Sequence, residues 1–107
     1  MVESPFDTTF RVGEVVDAES FPETNKPEMA KLRIDLGDET VGSVAQTGYN
    51  YEPADLVGRQ VLCATDLGSV RIAGFESEVL TVGVPDADGH PVLVGPDEAV
   101  PVGGTLY

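Results

Sequence analysis

Cysteine, histidine and tryptophan are nearly missing from this chain of 107 residues, which has one cysteine, one histidine and no tryptophan. A single cysteine, Cys63, cannot close an internal disulfide. Cys63 and His90 together offer too few ligands for a structural zinc ion. These absences exclude a disulfide scaffold and a zinc ribbon, and we expect neither a metal nor a cofactor.

Long apolar runs are also missing from the sequence. No stretch approaches the about 18 apolar residues that a membrane helix needs, and the first twenty residues carry five acids where an export signal would be basic and then apolar. Twelve glycines and eight prolines interrupt the chain so often that long helices are disfavoured. We expect one cytoplasmic domain over residues 1–107, without membrane insertion.

Basic residues are scarce. Nineteen acids stand against six bases, so the formal net charge is −13 at pH 7, well beyond the magnitude of about 2 to 8 that keeps a small domain soluble. The acids are spread among apolar residues, which argues against a disordered acidic tail. At about 1 M salt the Debye length falls to about 3 Å, so the repulsion between these charges is screened. The charge balance therefore predicts adaptation to a salt-accumulating cytoplasm.

Alternating apolar and polar residues predict an all-β fold. Five stretches show this pattern: residues 10–19, 31–37, 40–46, 59–67 and 78–84. The pattern breaks after the third stretch, because Pro53 suits the first turn of a helix and Gly58 suits its C-terminal end. Three strands, one short helix and two strands form the order of a five-stranded Greek-key barrel of the OB type, with other small barrels and sandwiches as alternatives.

The first strand and the C-terminal part add detail to this prediction. The inner face of the first strand is expected to carry Phe10, Val12, Val16 and Ala18. Glu14 interrupts that row, so we expect a bulge or a strand end there.

Farther along, residues 86–89 stand between apolar stretches at 82–84 and 92–94 and predict a hairpin. A last strand is expected at 105–107. Pairing with a second copy of the chain would cover the edges of these extra C-terminal strands.

Residue types that could serve catalysis or metal binding occur in the chain, but their positions are better explained by structural roles. Asp86 and Asp88 resemble the start of a calcium loop, but Pro91 stands where that loop needs glycine. His90 has no nucleophile near it in the sequence and is expected at a solvated hairpin tip. Cys63 lies in an apolar run and is expected in the core. Because no glycine-rich phosphate loop precedes a helix either, the chain is predicted not to be an enzyme.

Ordered blocks along nearly the whole chain carry a resemblance to a known family. They are Phe21-Pro22-Glu23, Lys26-Pro27, Lys31-Leu32-Arg33-Ile34-Asp35-Leu36-Gly37, Ser43-Val44-Ala45-Gln46, Leu56-Val57-Gly58-Arg59-Gln60-Val61 and Ser77-Glu78-Val79-Leu80. In this order they closely resemble the CsaA-like tRNA-binding-domain family. The resemblance implies an OB fold, a homodimer and non-enzymatic binding of tRNA or other structured RNA. The alternative that it implies is an export chaperone for unfolded or presecretory polypeptides.

The resemblance also implies an RNA-binding surface. Carried over position by position, its residues are Lys26, Lys31, Arg33, Ser43, Gln46, Arg71 and Ser77. Cations of this set would contact phosphates, and its polar groups would contact bases. Lys31 and Arg33 have the alternative of an ordinary solvated strand face, and Gln46 and Ser77 that of local hydrogen bonding at strand ends.

Two departures from the family pattern lower the positive charge of that surface. Asp66 stands where relatives usually carry asparagine, and Gly42 stands where they often carry lysine or arginine. If about four phosphates are neutralised, raising the salt concentration from about 0.15 M to about 2 M lowers the affinity about a thousand-fold to ten-thousand-fold. Stacking and hydrogen bonds to unpaired bases would survive such salt better than contacts to phosphates.

Overall fold

The structure is a computed structural model that describes residues 4–107. Its one α-helix within these residues has only four residues, which agrees with the prediction from glycine and proline density that long helices are disfavoured. In chain order the elements are β1 Phe10–Ser20, a 3-10 turn Pro22–Thr24, β2 Ala30–Asp35, β3 Thr40–Ala45, the helix α1 Pro53–Leu56, β4 Gln60–Ala64, β5 Val70–Ile72, β6 Phe75–Ser77, β7 Leu80–Thr81, β8 Gly83–Pro85 and β9 Pro91–Leu93.

Five strands form one antiparallel sheet in the order β3-β2-β1-β4-β7. The sheet curls until its two edge strands meet. There the hydroxyl of Ser43 on β3 lies 2.8 Å from the hydroxyl of Thr81 on β7 and donates to the carbonyl of Val79 at 3.0 Å. The single short helix follows β3. This arrangement confirms the predicted all-β, OB-type barrel with one short helix and extra strands.

The core fills the inside of this barrel. Leu32 and Ile34 on β2 are fully buried, while Lys31 and Arg33 alternate with them and point outward, as the sequence pattern predicts. Cys63 on β4 is buried in the same core, which confirms its predicted place. Desolvation by burial raises the pKa of the Cys63 thiol to about 12.

The predicted inner face of β1 is wrong at Phe10, Val12 and Val16. A Cβ atom at Gly13 would meet Ile34 and Leu36 of the core, so the alternating Phe10 and Val12 lie on the opposite face of the strand, where Val12 contacts the C-terminal segment. The pairing with β2 shifts between Val15, which lies opposite Ile34, and Asp17, which lies opposite Arg33. Val16 is the extra residue of this bulge, so it is 45% exposed, whereas Val15 is fully buried. A bulge reverses the alternation of faces beyond it. We expected the irregularity at Glu14, two residues earlier than the structure places it.

The C-terminal half differs from the prediction in two further ways. A hairpin of β5 and β6 lies between the last two barrel strands, where no strand was predicted, with Ala73 and Gly74 in its turn at positive φ. The predicted hairpin at 86–89 is confirmed as β8 and β9. No strand forms at 105–107, where the only pairing is one isolated bridge between Thr105 and Arg11. None of the helices within residues 4–107 is long and apolar enough to cross a membrane.

Candidate functional site

Two cations lie over two aromatic rings on the outer face of β2. The ammonium nitrogen of Lys31 is 5.1 Å from the ring centroid of Phe21 and 5.8 Å from that of Phe75. The guanidinium carbon of Arg33 is 4.7 Å from the ring centroid of Phe75. The two rings meet edge to face, with centroids 6.0 Å apart. We call Phe21, Lys31, Arg33 and Phe75 the β2 cluster.

A glycine makes the β2 cluster possible. Gly42 on β3 lies directly opposite Arg33 on β2. A Cβ atom at position 42 would come within 2.9 Å of the Phe75 ring and would also collide with the carbonyl oxygen of Glu76. Because Gly42 has no side chain, the β5–β6 hairpin can lie against β3 and bring Phe75 beside Arg33.

Hydrogen bonds hold this hairpin in place. The Glu78 carboxylate accepts from the backbone N–H of Gly42, and the backbone N–H of Glu78 donates to the Gly42 carbonyl, both at 2.8 Å. The backbone N–H of Val44 donates to the Ser77 hydroxyl at 3.0 Å. Phe75 is therefore held in place by two residues, Ser77 on its own strand and Glu78 directly after that strand.

Ser43 and Ser77 serve the barrel rather than its surface. Ser43 has no exposed surface, and its hydroxyl is bonded to Val79 and Thr81 inside the barrel. We therefore correct the expectation that Ser43 contacts RNA. Ser77 is buried, and its hydroxyl accepts a hydrogen bond from the backbone N–H of Val44. This matches the alternative of local hydrogen bonding.

The remaining predicted residues, Lys26, Gln46 and Arg71, are exposed. Lys26 lies in the loop between β1 and β2, and Gln46 directly follows β3. Arg71 lies on β5, where it donates to the carbonyl of Gly74 at 3.0 Å. OB folds bind nucleic acids with strands two and three and with the loops between strands one and two and between strands four and five. Lys26, the β2 cluster and Arg71 occupy those places.

Charge pairing distinguishes the cations of this surface. Lys31 lies 3.2 Å from the Glu19 carboxylate, and Arg71 lies 3.8 Å from the Glu76 carboxylate. Within residues 4–107, Arg33 forms no ion pair and donates no side-chain hydrogen bond. Its planar guanidinium is exposed and is held only against the Phe75 ring.

The other two arginines have different surroundings. Arg11 donates to the carbonyls of Gly103 and Leu36 and to the Asp38 carboxylate, all at 3.1 Å. The hydrogen bond from Arg11, supported by a backbone N–H, holds the pKa of Asp38 below its ordinary value. Arg59 lies over the Tyr51 ring at 5.1 Å. Neither arginine belongs to β2 or to the loops beside it.

Asp86, Asp88 and His90 bring three ligand-type side chains within 4.8 Å of one another. The Asp86 carboxylate is already used, because it accepts from the backbone N–H groups of Asp88 and His90 at 2.9 Å and from the Asn50 amide at 3.1 Å. These bonds, led by the one from His90, lower the pKa of Asp86. His90 is half-buried and stacks on Tyr49, so its predicted solvated position is wrong.

An apolar groove lies along the C-terminal segment. It has a volume of about 630 Å³ and is lined by side chains from β1, β4 and residues 96–107. Val12 and Leu62 form part of its floor, and Tyr107 at its end is 73% exposed. Backbone bonds from Val12 to Gly104 and from Leu106 to Phe10 hold the segment along β1.

Comparison with known proteins identifies the family of this barrel. The family model described as "Putative tRNA binding domain" matches residues 10–105. The chain belongs to this family. The match confirms the family that the ordered sequence blocks predict.

Several members of the tRNA-binding-domain family resemble the chain along most of its length. The methionine–tRNA ligase of Methanocaldococcus jannaschii is 37% identical over 96 residues, which are 90% of this chain and 14% of the ligase. The crystal structure of chaperone CsaA from Bacillus anthracis is 37% identical with a TM-score of 0.82, covering 94% of this chain and 90% of that one. The CsaA chaperone of Picrophilus torridus is 32% identical with a TM-score of 0.83, covering 94% and 92%.

Phe21 and Phe75 are the two members of the β2 cluster that are missing from the predicted set. The sequence pattern around Phe75 is too short and irregular to predict the strands of its hairpin. One signal could have indicated it. A glycine inside a strand, such as Gly42, often marks the close approach of another part of the chain.

Proposed function

We propose that this member of the tRNA-binding-domain family binds tRNA or another structured RNA and catalyses no reaction. The observation that carries the proposal is the β2 cluster, in which Lys31 and Arg33 are presented over aromatic rings on the face that OB folds use for nucleic acids. The family match supports the same conclusion.

The proposed interface contains the accessible members of the predicted set. They are Lys26, Lys31, Arg33, Gln46 and Arg71. The four cations would contact phosphates, and the Gln46 amide can donate to and accept from the edge of an unpaired base. Ser43 and Ser77 are excluded from this interface because their hydroxyls are bonded within the barrel.

A binding assay with matched charge changes tests the proposed face. Binding of tRNA would be measured for the wild type, Arg33→Glu and Gln46→Ala in dilute buffer and in molar potassium chloride. Arg59→Glu is the control, because it makes the same charge change outside the interface. We expect Arg33→Glu and Gln46→Ala to weaken binding more than the control. Equal binding by all four proteins would exclude this face.

A second candidate function is that of a chaperone for unfolded or exported polypeptides. The observation that favours it is the apolar groove beside Val12, Leu62 and Tyr107, which fits an apolar peptide segment. Many salts strengthen apolar burial, so this binding would gain affinity where phosphate contacts lose it. The chaperone proposal predicts that the protein suppresses aggregation and that apolar peptides compete while tRNA does not. Competition by tRNA, or no suppression, would contradict it.

We further propose that the chain acts as a homodimer in a salt-rich cytoplasm. The β8–β9 hairpin supports the dimer, because it forms a separate two-stranded sheet in which Val84 and Val92 pair and are both exposed. A second copy would cover these side chains and the strand edges. Light scattering in molar potassium chloride should give twice the mass of one chain, and Val84→Lys should give the mass of one. A wild-type monomer would contradict the dimer.

A further inference from the structure

We infer that Arg33 is a stacking platform for one unpaired nucleobase and that Phe75 is the positioning residue that holds its guanidinium flat. This inference deepens the proposed function and rests on it. The proposed function requires only that cations attract RNA, whereas the inference identifies the chemical group that one of them receives.

The first step is the state of Arg33 before any ligand arrives. Its guanidinium group lies over the Phe75 ring, with 4.7 Å between the guanidinium carbon and the ring centroid. The side chain is exposed, and within residues 4–107 no carboxylate or carbonyl accepts a hydrogen bond from its N–H groups. In a chain with a net charge of −13, Arg33 lies over an aromatic ring instead of pairing with an acid. Arg59 has a similar arrangement over Tyr51, but it lies outside the proposed interface.

The second step is the rigidity of the shelf beneath Arg33. Phe75 packs edge to face against the buried ring of Phe21 and sits over Gly42. The hairpin that carries Phe75 is bonded to β3 through Ser77 and Glu78. A guanidinium resting on such a shelf loses little conformational freedom when a ligand binds, because most of that freedom is already lost.

The third step is the chemistry of the ligand that suits this arrangement. A phosphate needs the N–H edge of an arginine, but it gains nothing from a flat guanidinium with an open face. An unpaired base can stack on that face, while the N–H edge remains free for base or phosphate oxygens. Bases inside a duplex are already stacked, so the platform favours loops, bulges and ends. Stacking is also less sensitive to salt than phosphate contact, which fits the acidic composition.

The neighbouring cations do not offer the same surface. Lys31 has no plane, and its ammonium is paired with Glu19. Arg71 is tied to Gly74 and lies near Glu76 within its own hairpin. Arg33 is therefore the one cation of the proposed interface, within residues 4–107, that combines a plane, an aromatic support and free N–H groups.

The test uses the full chain and RNA that carries the fluorescent base 2-aminopurine. One probe is a single-stranded oligonucleotide, and the other is the same strand in a blunt duplex. Stacking quenches the probe, so we expect quenching with the single strand and little with the duplex, in dilute buffer and in molar potassium chloride. Transfer RNA binding is measured in parallel as the test of the proposed function.

The variants separate the platform from charge and from folding. Arg33→Lys keeps the charge and removes the plane, and we expect it to lose most of the quenching and about tenfold or more of the affinity for the single strand. Phe75→Leu removes the aromatic ring under Arg33 and should give a similar loss. Phe75→Tyr keeps an aromatic ring and should give the same quenching as the wild type. Thermal melting confirms that each variant is folded. If Phe75→Leu does not fold, Arg33→Lys still tests the platform. Residue 33 is exposed, so this substitution is expected to leave the fold intact.

Two outcomes overturn different claims. If the wild type binds tRNA and Arg33→Lys shows the same affinity and quenching, the platform is wrong and the proposed function stands. If the wild type binds no tRNA at any salt concentration, the proposed function itself is wrong.

Discussion

The hydroxyls of Ser43 and Thr81 lie 2.8 Å apart inside the protein and join the two edge strands of the barrel. Both side chains are buried, so neither can replace this partner with water. Ser43 also donates to the Val79 carbonyl. The contact closes the barrel between β3 and β7, the two edge strands of the sheet, which are not neighbours in the strand order.

We therefore predict that Ser43→Ala lowers the free energy of unfolding by about 1–3 kcal/mol, because it leaves buried polar groups without a partner. Urea unfolding in molar potassium chloride measures the change. Ser69→Ala is the control, because the exposed Ser69 hydroxyl bonds only to the side chain of Glu76, and it should change the free energy by less than about 0.5 kcal/mol. Equal effects from both substitutions would contradict the role given to Ser43.

Gly42→Ala should damage both stability and RNA binding. The new Cβ would strike the Phe75 ring and the backbone of Glu76, so the β5–β6 hairpin must move away from β3. Overpacking of this kind lowers the free energy of unfolding by about 1–3 kcal/mol. Gly104→Ala is the control, since its nearest contact would be 3.8 Å away. Unchanged stability and unchanged tRNA binding in Gly42→Ala would show that the hairpin tolerates a side chain at that position.

The Cys63 thiol should be unreactive in the folded protein. Its raised pKa of about 12 and full burial keep it protonated and inaccessible at pH 8. Alkylation should therefore be slow in buffer and fast in urea, with a rate that follows the unfolded fraction. Rapid alkylation without urea would place Cys63 outside the core.

The same thiol gives a pH dependence with a defined sign. Its folded pKa lies above the ordinary value of 9.0, so deprotonation favours the unfolded chain. The stability that the neutral thiol contributes is complete below pH 9.0 and is lost between pH 9.0 and about 12. Unfolding measured across this window should show a decline that Cys63→Ala lacks. An equal decline in the variant would assign it to other groups.

Stability should rise with salt concentration. The net charge of −13 repels itself in dilute buffer, and salt screens that repulsion. We expect the melting temperature to increase from dilute buffer to molar potassium chloride. The double variant Asp97→Asn, Glu98→Gln removes two exposed charges and should need less salt to reach the same melting temperature. A melting temperature that does not rise with salt would remove the proposed adaptation.

The parts of the fold that follow from local pattern were predictable. Residues 31–37 alternate so regularly that β2 and its outward Lys31 and Arg33 could be predicted from the sequence alone. The bulge at Val16 could be expected only approximately, because its place depends on how β1 pairs with β2. Glu14 interrupts the alternation close to the bulge, but the alternation alone does not indicate which residue of β1 lacks a partner on β2.

The site itself was predictable only in part. Its cations are visible in the sequence, but Phe75 reaches Arg33 through contacts between distant segments, which periodicity cannot predict. Ser43 looked like a surface residue for the same reason. Its burial follows from the closure of the barrel against Thr81, a feature of tertiary structure rather than of the strand that carries it.

The β2 cluster contains Phe21 directly after β1, two cations on β2 and Phe75 in the β5–β6 hairpin. No short peptide cut from this chain contains all of these parts. We therefore expect a chain under synthesis to lack the proposed base platform until the hairpin has emerged and docked on Gly42. RNA binding through the proposed platform would therefore require that the barrel and the hairpin have both folded.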